Sequence, residues 1–325
     1  MRPLRYLLGR TCRPLPPLFA RKVSRLIYPA QLGRQDDFEF HVRSQTGSSF
    51  TSRTSDALGH GFSLVGYNEW RLWAAAIALT SPGDTIVEVG ANIGTETIGF
   101  SDIVGAQGRV VAFEPVPSSV AVLERNLSRS RYGNVQVFPY AVGDRAAVER
   151  LSVPRGLPSQ AQIVTGHGAD SATIEVESVT LDSMEDVLGD LRMLFVDVEG
   201  SEVNVIRGGA STIARSRPHI FIEANPKALN TLGFTAGELK SELIRFGYII
   251  AKVERLGLSP VADTEFRGYQ NWICVQQPRQ LQPLQRFLRR CALLPCVPFV
   301  HPLTRPRVVG SHRGSAAIAR RRNAS

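Results

Sequence analysis

The chain has 325 residues, 43% of them apolar, and no apolar run approaches the about 18 residues that a membrane-spanning helix needs. Its net charge of +9 is uneven: residues 1–35 hold eight basic residues and no acid, residues 279–325 hold ten and no acid, and the body between them carries 20 basic and 29 acidic residues, net −9. An acidic body argues against a nucleic-acid substrate, and four cysteines without metal-ligand spacing form neither a zinc site nor a disulfide framework, which suits a reducing cytoplasm.

The chain is expected to divide into a basic segment over 1–35, a folded body over 36–278 and a basic tail over 279–325. Pro14, Pro16 and Pro17 interrupt any apolar core of a leader peptide. Phe19, Val23, Leu26 and Ile27 fall on one helical face with Arg21, Lys22 and Arg25 off it. Leu284, Phe287, Leu288, Cys291 and Leu294 repeat the pattern beside Arg286, Arg289 and Arg290. Two such basic amphipathic stripes suit peripheral contact with an anionic membrane at its inner face, or packing against the body. Beyond Pro295 the composition predicts disorder.

Residues 36–66 alternate weakly, which predicts an irregular strand or hairpin, and Tyr67 to Leu79 has helical spacing broken by Ser81-Pro82-Gly83-Asp84. Glu69, at the start of that helix, reads as a surface residue first, or else as one side of the cofactor pocket. Ile86, Val87 and Val89 then form the apolar run of a strand buried on both faces. Gly90 and Gly94 bracket a tight turn, and Thr95 to Phe100 continue at helical spacing, an arrangement that brings a ligand against bare backbone.

A second strand, 109–114, ends in Glu114, placed to accept from both hydroxyls of a ribose. The turn Gly-Ala-Asn-Ile-Gly lacks the Gly-x-Gly-x-x-Gly pattern that seats a pyrophosphate, and Glu88 beside it suits an ammonium. These features favour S-adenosylmethionine over a dinucleotide.

A helix through Val120, Leu123 and Leu127 and a strand at 135–138 follow. Two strand-like runs, 148–153 and 172–181, flank a Gly/Ser/His loop from Arg155 to Ser171, a candidate for acceptor recognition; His167 within it reads as a solvent-exposed loop histidine. Strand 193–196 runs into Asp197-Val-Glu-Gly, and strand 219–222 into Glu223-Ala-Asn-Pro. Runs 249–253 and 272–275 suggest a terminal hairpin. Alternating strands and helices imply a parallel sheet with helices on both faces, and ligands then bind at the carboxyl ends of its strands, where Glu88, Glu114, Asp197, Glu199 and Glu223 all stand. His219 opens its strand and belongs to the opposite edge.

Glu88-Val-Gly-Ala-Asn-Ile-Gly94, Ala112-Phe-Glu-Pro115, Asp197-Val-Glu-Gly-Ser-Glu202, Ile206-Arg-Gly-Gly-Ala210 and Ile222-Glu223 together resemble the FkbM family of S-adenosylmethionine-dependent methyltransferases, in order, over about residues 65–255. The resemblance implies a class I, Rossmann-like methyltransferase: an α/β fold with a mostly parallel seven-stranded sheet whose last strand is reversed. It implies O-methylation, of a sugar hydroxyl in a glycan or glycolipid precursor or of a secondary-metabolite hydroxyl. A non-catalytic cofactor-binding scaffold is the reading of a different class. Carried over by position, Gly90, Ala91, Asn92 and Gly94 line the methionine moiety, Glu114 holds the ribose and Ala141 lies near the adenine. Asp197 stands nearest the reacting centre, supported by Glu199 and Glu223. No metal is expected. Oxygen ligands from Asp197, Glu223 and Asn225 would suit a magnesium ion, but nothing in the spacing demands one. The family often has lysine two residues before that aspartate; this chain has Phe195.

Overall fold

The computed structural model describes residues 3–154, 161–163, 171–261 and 268–293. Three helices open it: α1 (Leu4–Arg10), α2 (Pro17–Ile27) and α3 (Ala30–Asp36). Pro17 occupies the first turn of α2, where its missing N–H removes no helical bond. A hairpin of β1 (Glu39–Arg43) and β2 (Ser49–Arg53) turns Phe40, Val42 and Phe50 inward. It answers the strand expectation for 36–66, but that stretch also contains a helix the periodicity did not predict, α4 (Ala57–Val65). α4 is buried from Gly59 to Val65, so it shows no polar stripe, and its two glycines lower helix propensity. α5 (Trp70–Leu79) starts three residues later than the spacing suggests, with Glu69 as its cap.

The alternating region follows: β3 (Thr85–Val89), α6 (Thr97–Val104), β4 (Arg109–Phe113), α7 (Pro117–Leu127) and β5 (Val135–Phe138). Next come β6 (Ala141–Val142), β7 (Ala147–Pro154), β8 (Gln162–Ile163), β9 (Ser171–Val179) and the single-turn α8 (Glu185–Leu188). β10 (Leu191–Val196), α9 (Glu202–Gly208), α10 (Ala210–Ser216), β11 (His219–Ala224), α11 (Pro226–Thr231) and α12 (Ala236–Arg245) complete the second half. The described chain ends with β12 (Ile249–Glu254), β13 (Gly257–Pro260), β14 (Gln270–Val275) and α13 (Leu281–Leu293).

The main sheet has the order β13-β12-β14-β11-β10-β3-β4-β5. From β11 to β5 it is parallel, and β14 runs antiparallel between β11 and β12. These are the seven expected strands with the expected reversal, and β13 adds an eighth on the outer edge. The runs expected to form a terminal hairpin do pair, Ile249 with Val275, although the chain folds back through β13 between them. A smaller sheet, β6-β9-β7-β8, is built on the long pairing of β7 with β9, the two strand-like runs flanking the loop. Of that loop only residues 161–163 and Ser171 fall among the described residues, and His167 lies outside them.

Side chains alternate across the main sheet, so it is covered on both faces. Ile86, Val110, Met193, Phe195, Phe221 and Ile273 point to the face packed by α4, α5, α6 and α13. Val87, Val111, Leu194, Ile220, Ile222 and Trp272 point to the face packed by α9, α10 and α12. Leu284, Leu288 and Cys291 of α13 belong to the first of these cores. The described part of the C-terminal apolar stripe, which in sequence suits a membrane or the body, is therefore taken up by the protein interior.

α5 and α6 meet where Gly99 faces Trp73: a Cβ on Gly99 would lie 2.0 Å from the indole Cε2, while the indole N–H donates to the Glu96 carbonyl at 3.2 Å. The buried ring cannot yield, so Gly99→Ala is expected to destabilise the fold by about 1–3 kcal/mol in denaturant titration. Gly133→Ala, where the added carbon meets nothing within 4 Å, should change stability by under about 0.5 kcal/mol. Equal effects of the two substitutions would show that the α5–α6 fit does not set the requirement.

Candidate active site

The turn after β3 is held against the end of β10. A Cβ on Gly90 would lie 1.9 Å from the Asp197 carbonyl oxygen, and Gly90 has φ +94°, so the position admits only glycine. Each backbone N–H from Gly90 to Gly94 already has an acceptor within the protein. Gly90 and Ala91 donate to the Phe113 carbonyl, Asn92 to Glu114 Oε2, Ile93 to Asn92 Oδ1 and Gly94 to the Ala91 carbonyl. No donor of the turn remains for a pyrophosphate. Glu114 is gripped at both oxygens, Oε2 by Asn92 N–H (2.8 Å) and Oε1 by Val116 N–H (2.9 Å), which fixes the carboxylate while leaving further lone pairs to accept from a diol.

Five acids converge where the sequence placed them, at the carboxyl ends of β3, β4, β10 and β11. Glu88, Glu114, Asp197, Glu199 and Glu223 all line one cavity of about 440 Å³, with Gly90, Ala91, Asn92 and Ala141. Gly94 stands behind that wall, its missing side chain making room for Leu123. Asp197, Glu199 and Glu223 each bring a carboxylate oxygen within 4.8 Å of the other two. Asp197 faces the open space of the cavity but is deeply enclosed by protein; desolvation raises its carboxyl to about 6. Glu223 is pushed much further up, by burial and by the charges of Asp197, Glu199 and Glu202. The two carboxyls therefore titrate as one coupled pair, both held above the usual carboxylate range and Glu223 the further of the two. Burial and the Asp197 charge raise Glu199 to about 7.

The same three oxygens are spaced to hold a divalent cation. Asn225, the sequence's third oxygen ligand for such an ion, instead caps α11 by accepting from Ala228 N–H. Burial also raises Glu114 to about 7, and it lifts Glu88 well above the usual range with help from the charges of Glu96, Asp197 and Glu114. Glu88 Oε2 has no hydrogen-bond partner although the residue is only 4% exposed. An orphaned, buried carboxylate oxygen beside a glycine turn, with a fixed diol acceptor on the next strand, fits the ammonium and ribose of S-adenosylmethionine.

For Glu69 the pocket alternative holds, and several further lining residues escaped the sequence. Glu69 is not a surface residue: it lines the cavity and forms a two-point ion pair with Arg71 (2.8 and 2.7 Å), which outweighs the effect of burial and lowers its carboxyl. Glu96 accepts from Glu69 N–H at Oε1, leaves Oε2 without a partner, and is raised by burial to about 8. Asn68, Tyr269 and Asn271 add polar groups, and Arg21 of α2, which donates to the Asn68 carbonyl (2.7 Å), is the only cationic lining residue among the described residues. No local motif marks these positions. Phe195 lies in the wall stacked between Phe100 (4.2 Å) and Phe221 (5.6 Å). Glu202 is buried and supports the turn after β10 by accepting from Gly200 N–H (3.1 Å). His219 is buried at the opposite edge of the sheet, as its place at the start of β11 required.

The profile of the Methyltransferase FkbM domain matches residues 88–250, half of the chain. Among curated proteins, the Protein-L-isoaspartate O-methyltransferase of Methanothrix thermoacetophila is 28% identical over 105 residues, 31% of this chain and 50% of that protein. Methyltransferase 1 of Beauveria bassiana is 27% identical over 148 residues, 39% of this chain and 59% of that protein. The chain thus spans about half to three fifths of the length of these relatives. Similar solved structures include the FkbM methyltransferase of Methylobacillus flagellatus (14% identity, TM-score 0.40, 83% of this chain and 58% of that one). Fibrillarin of Aeropyrum pernix, solved with natively bound S-adenosyl-L-methionine, is another (17% identity, TM-score 0.37, 73% and 94%). With the profile matched from Glu88 in β3 to Ile250 in β12, the chain belongs to the FkbM family of S-adenosylmethionine-dependent methyltransferases.

Proposed function

We propose that the protein is an O-methyltransferase whose acceptor is a sugar hydroxyl of a glycan or glycolipid precursor. The observation that carries this reading is the cluster of Asp197, Glu199 and Glu223, with carboxylate oxygens within 4.8 Å of one another, in the same cavity as the cofactor-fitting residues. Methylating a hydroxyl requires a group that takes its proton, and Asp197 has the charge and the position for it. Glu69, Tyr269 and Asn271 on the wall beside Asp197 offer donors and acceptors to a polyhydroxylated molecule, which supports a sugar over an apolar metabolite.

Glu88 would hold the cofactor's ammonium, Glu114 its ribose hydroxyls, and Ala141 would pack near its adenine. When bound, S-adenosylmethionine supplies a methyl group on a positively charged sulfur. The chain's own residues align the acceptor hydroxyl and move its proton. Asp197 accepts that proton at its carboxylate, Glu223 keeps its own proton and so confines the negative charge to Asp197, and Glu199 adds a nearby negative charge that keeps the pair basic.

Three outcomes are expected. Glu114→Ala should weaken S-adenosylmethionine binding at least about tenfold in titration calorimetry, since hydrogen bonds to a charged acceptor contribute about 1.5–3 kcal/mol. Unchanged affinity would remove Glu114 from the site. Asp197→Asn should lower turnover by about 10²-fold or more with cofactor affinity little changed; full turnover in the variant would place the base elsewhere.

The third concerns pH. Glu96, Glu114 and Glu199 have folded-state values of about 8, 7 and 7 against 4.5 in the unfolded chain. The native protein therefore binds more protons, and the stability tied to these groups is complete below about 4.5 and is lost as pH rises towards about 8. The ligand-free protein should melt at lower temperature at the upper end of that window, and the rise in melting temperature on adding S-adenosylmethionine should be larger there. A ligand-free melting temperature that climbs across the window would contradict this view of the cavity.

A further inference from the structure

Twelve large apolar side chains are exposed among the described residues, and seven of them lie between Leu4 and Leu26. On α2, Phe19, Lys22, Val23 and Leu26 occupy one strip of the helix, and Ala20 and Ser24 are buried on the other side. On α1, Leu4, Leu7 and Leu8 face outward while Tyr6 and Gly9 are buried. Gly9 brings the two helices together, since a Cβ there would stand 3.4 Å from the Ser24 carbonyl. Both helices pack their inward sides on α4, so their outward strips share one surface. Leu26 is 78% exposed, Leu4 72% and Phe19 50%, a cost in water that a soluble surface has no reason to carry.

We propose that this outward face of the α1–α2 hairpin lies on an anionic lipid bilayer, with its apolar side chains at the headgroup boundary and Arg5 and Lys22 at its margin. The charge selects the occupant. Residues 1–35 contain no acid, and Arg5 and Lys22 are both exposed. A second copy would bring the same basic margin against itself, and residues 294–325, with six arginines and no acid, are likewise repelled. A negatively charged surface with an apolar interior matches both properties of the face. Residues 36–278, at net −9, are turned away from such a surface by their own charge. The inner side of α2 carries Arg21 into the cavity wall, so one helix, about 10 Å across, separates the lipid face from the site. That relation to an acceptor rests on the methyltransferase reading; the docking itself does not.

The test is co-sedimentation of the full chain with vesicles of phosphatidylcholine, with and without phosphatidylglycerol, alongside calorimetry with S-adenosylmethionine. The wild-type protein should pellet with the anionic vesicles at low salt and be released at high salt. The double substitution Phe19→Ser/Leu26→Ser should weaken vesicle binding at least about tenfold while cofactor affinity and melting temperature stay unchanged. Lys22→Glu, at an exposed position outside the core, should weaken it in the same sense without any loss of apolar packing. The proposal falls if wild-type protein ignores anionic vesicles. It also falls if the double variant pellets as well as wild type, which would assign the contact to residues 279–325. A concentration-dependent dimer abolished by the double substitution, without vesicle binding, would assign the face to a second copy. A wild-type chain that binds vesicles but not the cofactor would leave the docking intact and overturn the catalytic reading alone.

Discussion

Seven carboxylates surround one cavity with a single guanidinium among the described lining residues, and Glu88, Glu96 and Glu114 are buried. Charges so crowded in a poorly solvated space repel one another strongly, and the arrangement persists because several of them keep a proton near neutral pH. This sets the chemistry of the site. It disposes the cavity towards a cationic ligand, leaves an unpartnered oxygen on Glu88, and raises the carboxyl of Asp197. The sheet makes the crowding unavoidable: parallel strands deliver their carboxyl ends to one edge, and four of them end in acids.

Phe195 belongs to the same electrostatic problem. At the position where the family resemblance leads to an expectation of lysine, this chain stacks an aromatic ring between Phe100 and Phe221 and extends the apolar core to the cavity wall. A cation two residues from Asp197 would balance its charge. Here burial and the acidic neighbours raise the proton affinity of Glu223, so protonation offsets part of the charge. A proton-balanced site depends on pH in a way that a lysine-balanced one does not, because lysine keeps its charge across the neutral range.

The sheet was legible in the sequence because strands buried on both faces appear as unbroken apolar runs, and because the residue closing each run is fixed in space by the strand itself. That is why Glu88, Glu114, Asp197, Glu199 and Glu223 were found from the chain alone. Glu96, Arg21 and Asn271 were not, and Glu69 only as the alternative to a surface place, since they reach the cavity from a loop, the N-terminal segment, the reversed strand and a helix cap, and only tertiary packing brings them together. α4 escaped for another reason: a helix buried on all sides has no polar face, and periodicity is a signal of contrast. The stripe of α13 was read correctly as amphipathic, but an apolar face looks the same in sequence whether a protein core or a lipid covers it. The two stripes of the chain differ only in what lies against them.

α13 also has a bearing on how the molecule is made. Its Leu284, Leu288 and Cys291 sit in the core formed by Phe62 and Trp73, and the helix packs against both α5 and α2. α2 and α13, near the two ends of the described chain, thus close one layer, and every element between them is synthesised before that layer can be sealed. A growing chain carries α2, α4 and α5 with part of their apolar surface uncovered until residue 291 is available, while the far face of the sheet can already be clothed by α9, α10 and α12. Ribosomal pausing or truncation ahead of α13 would leave that surface bare, and it is there that chaperone engagement during synthesis should concentrate.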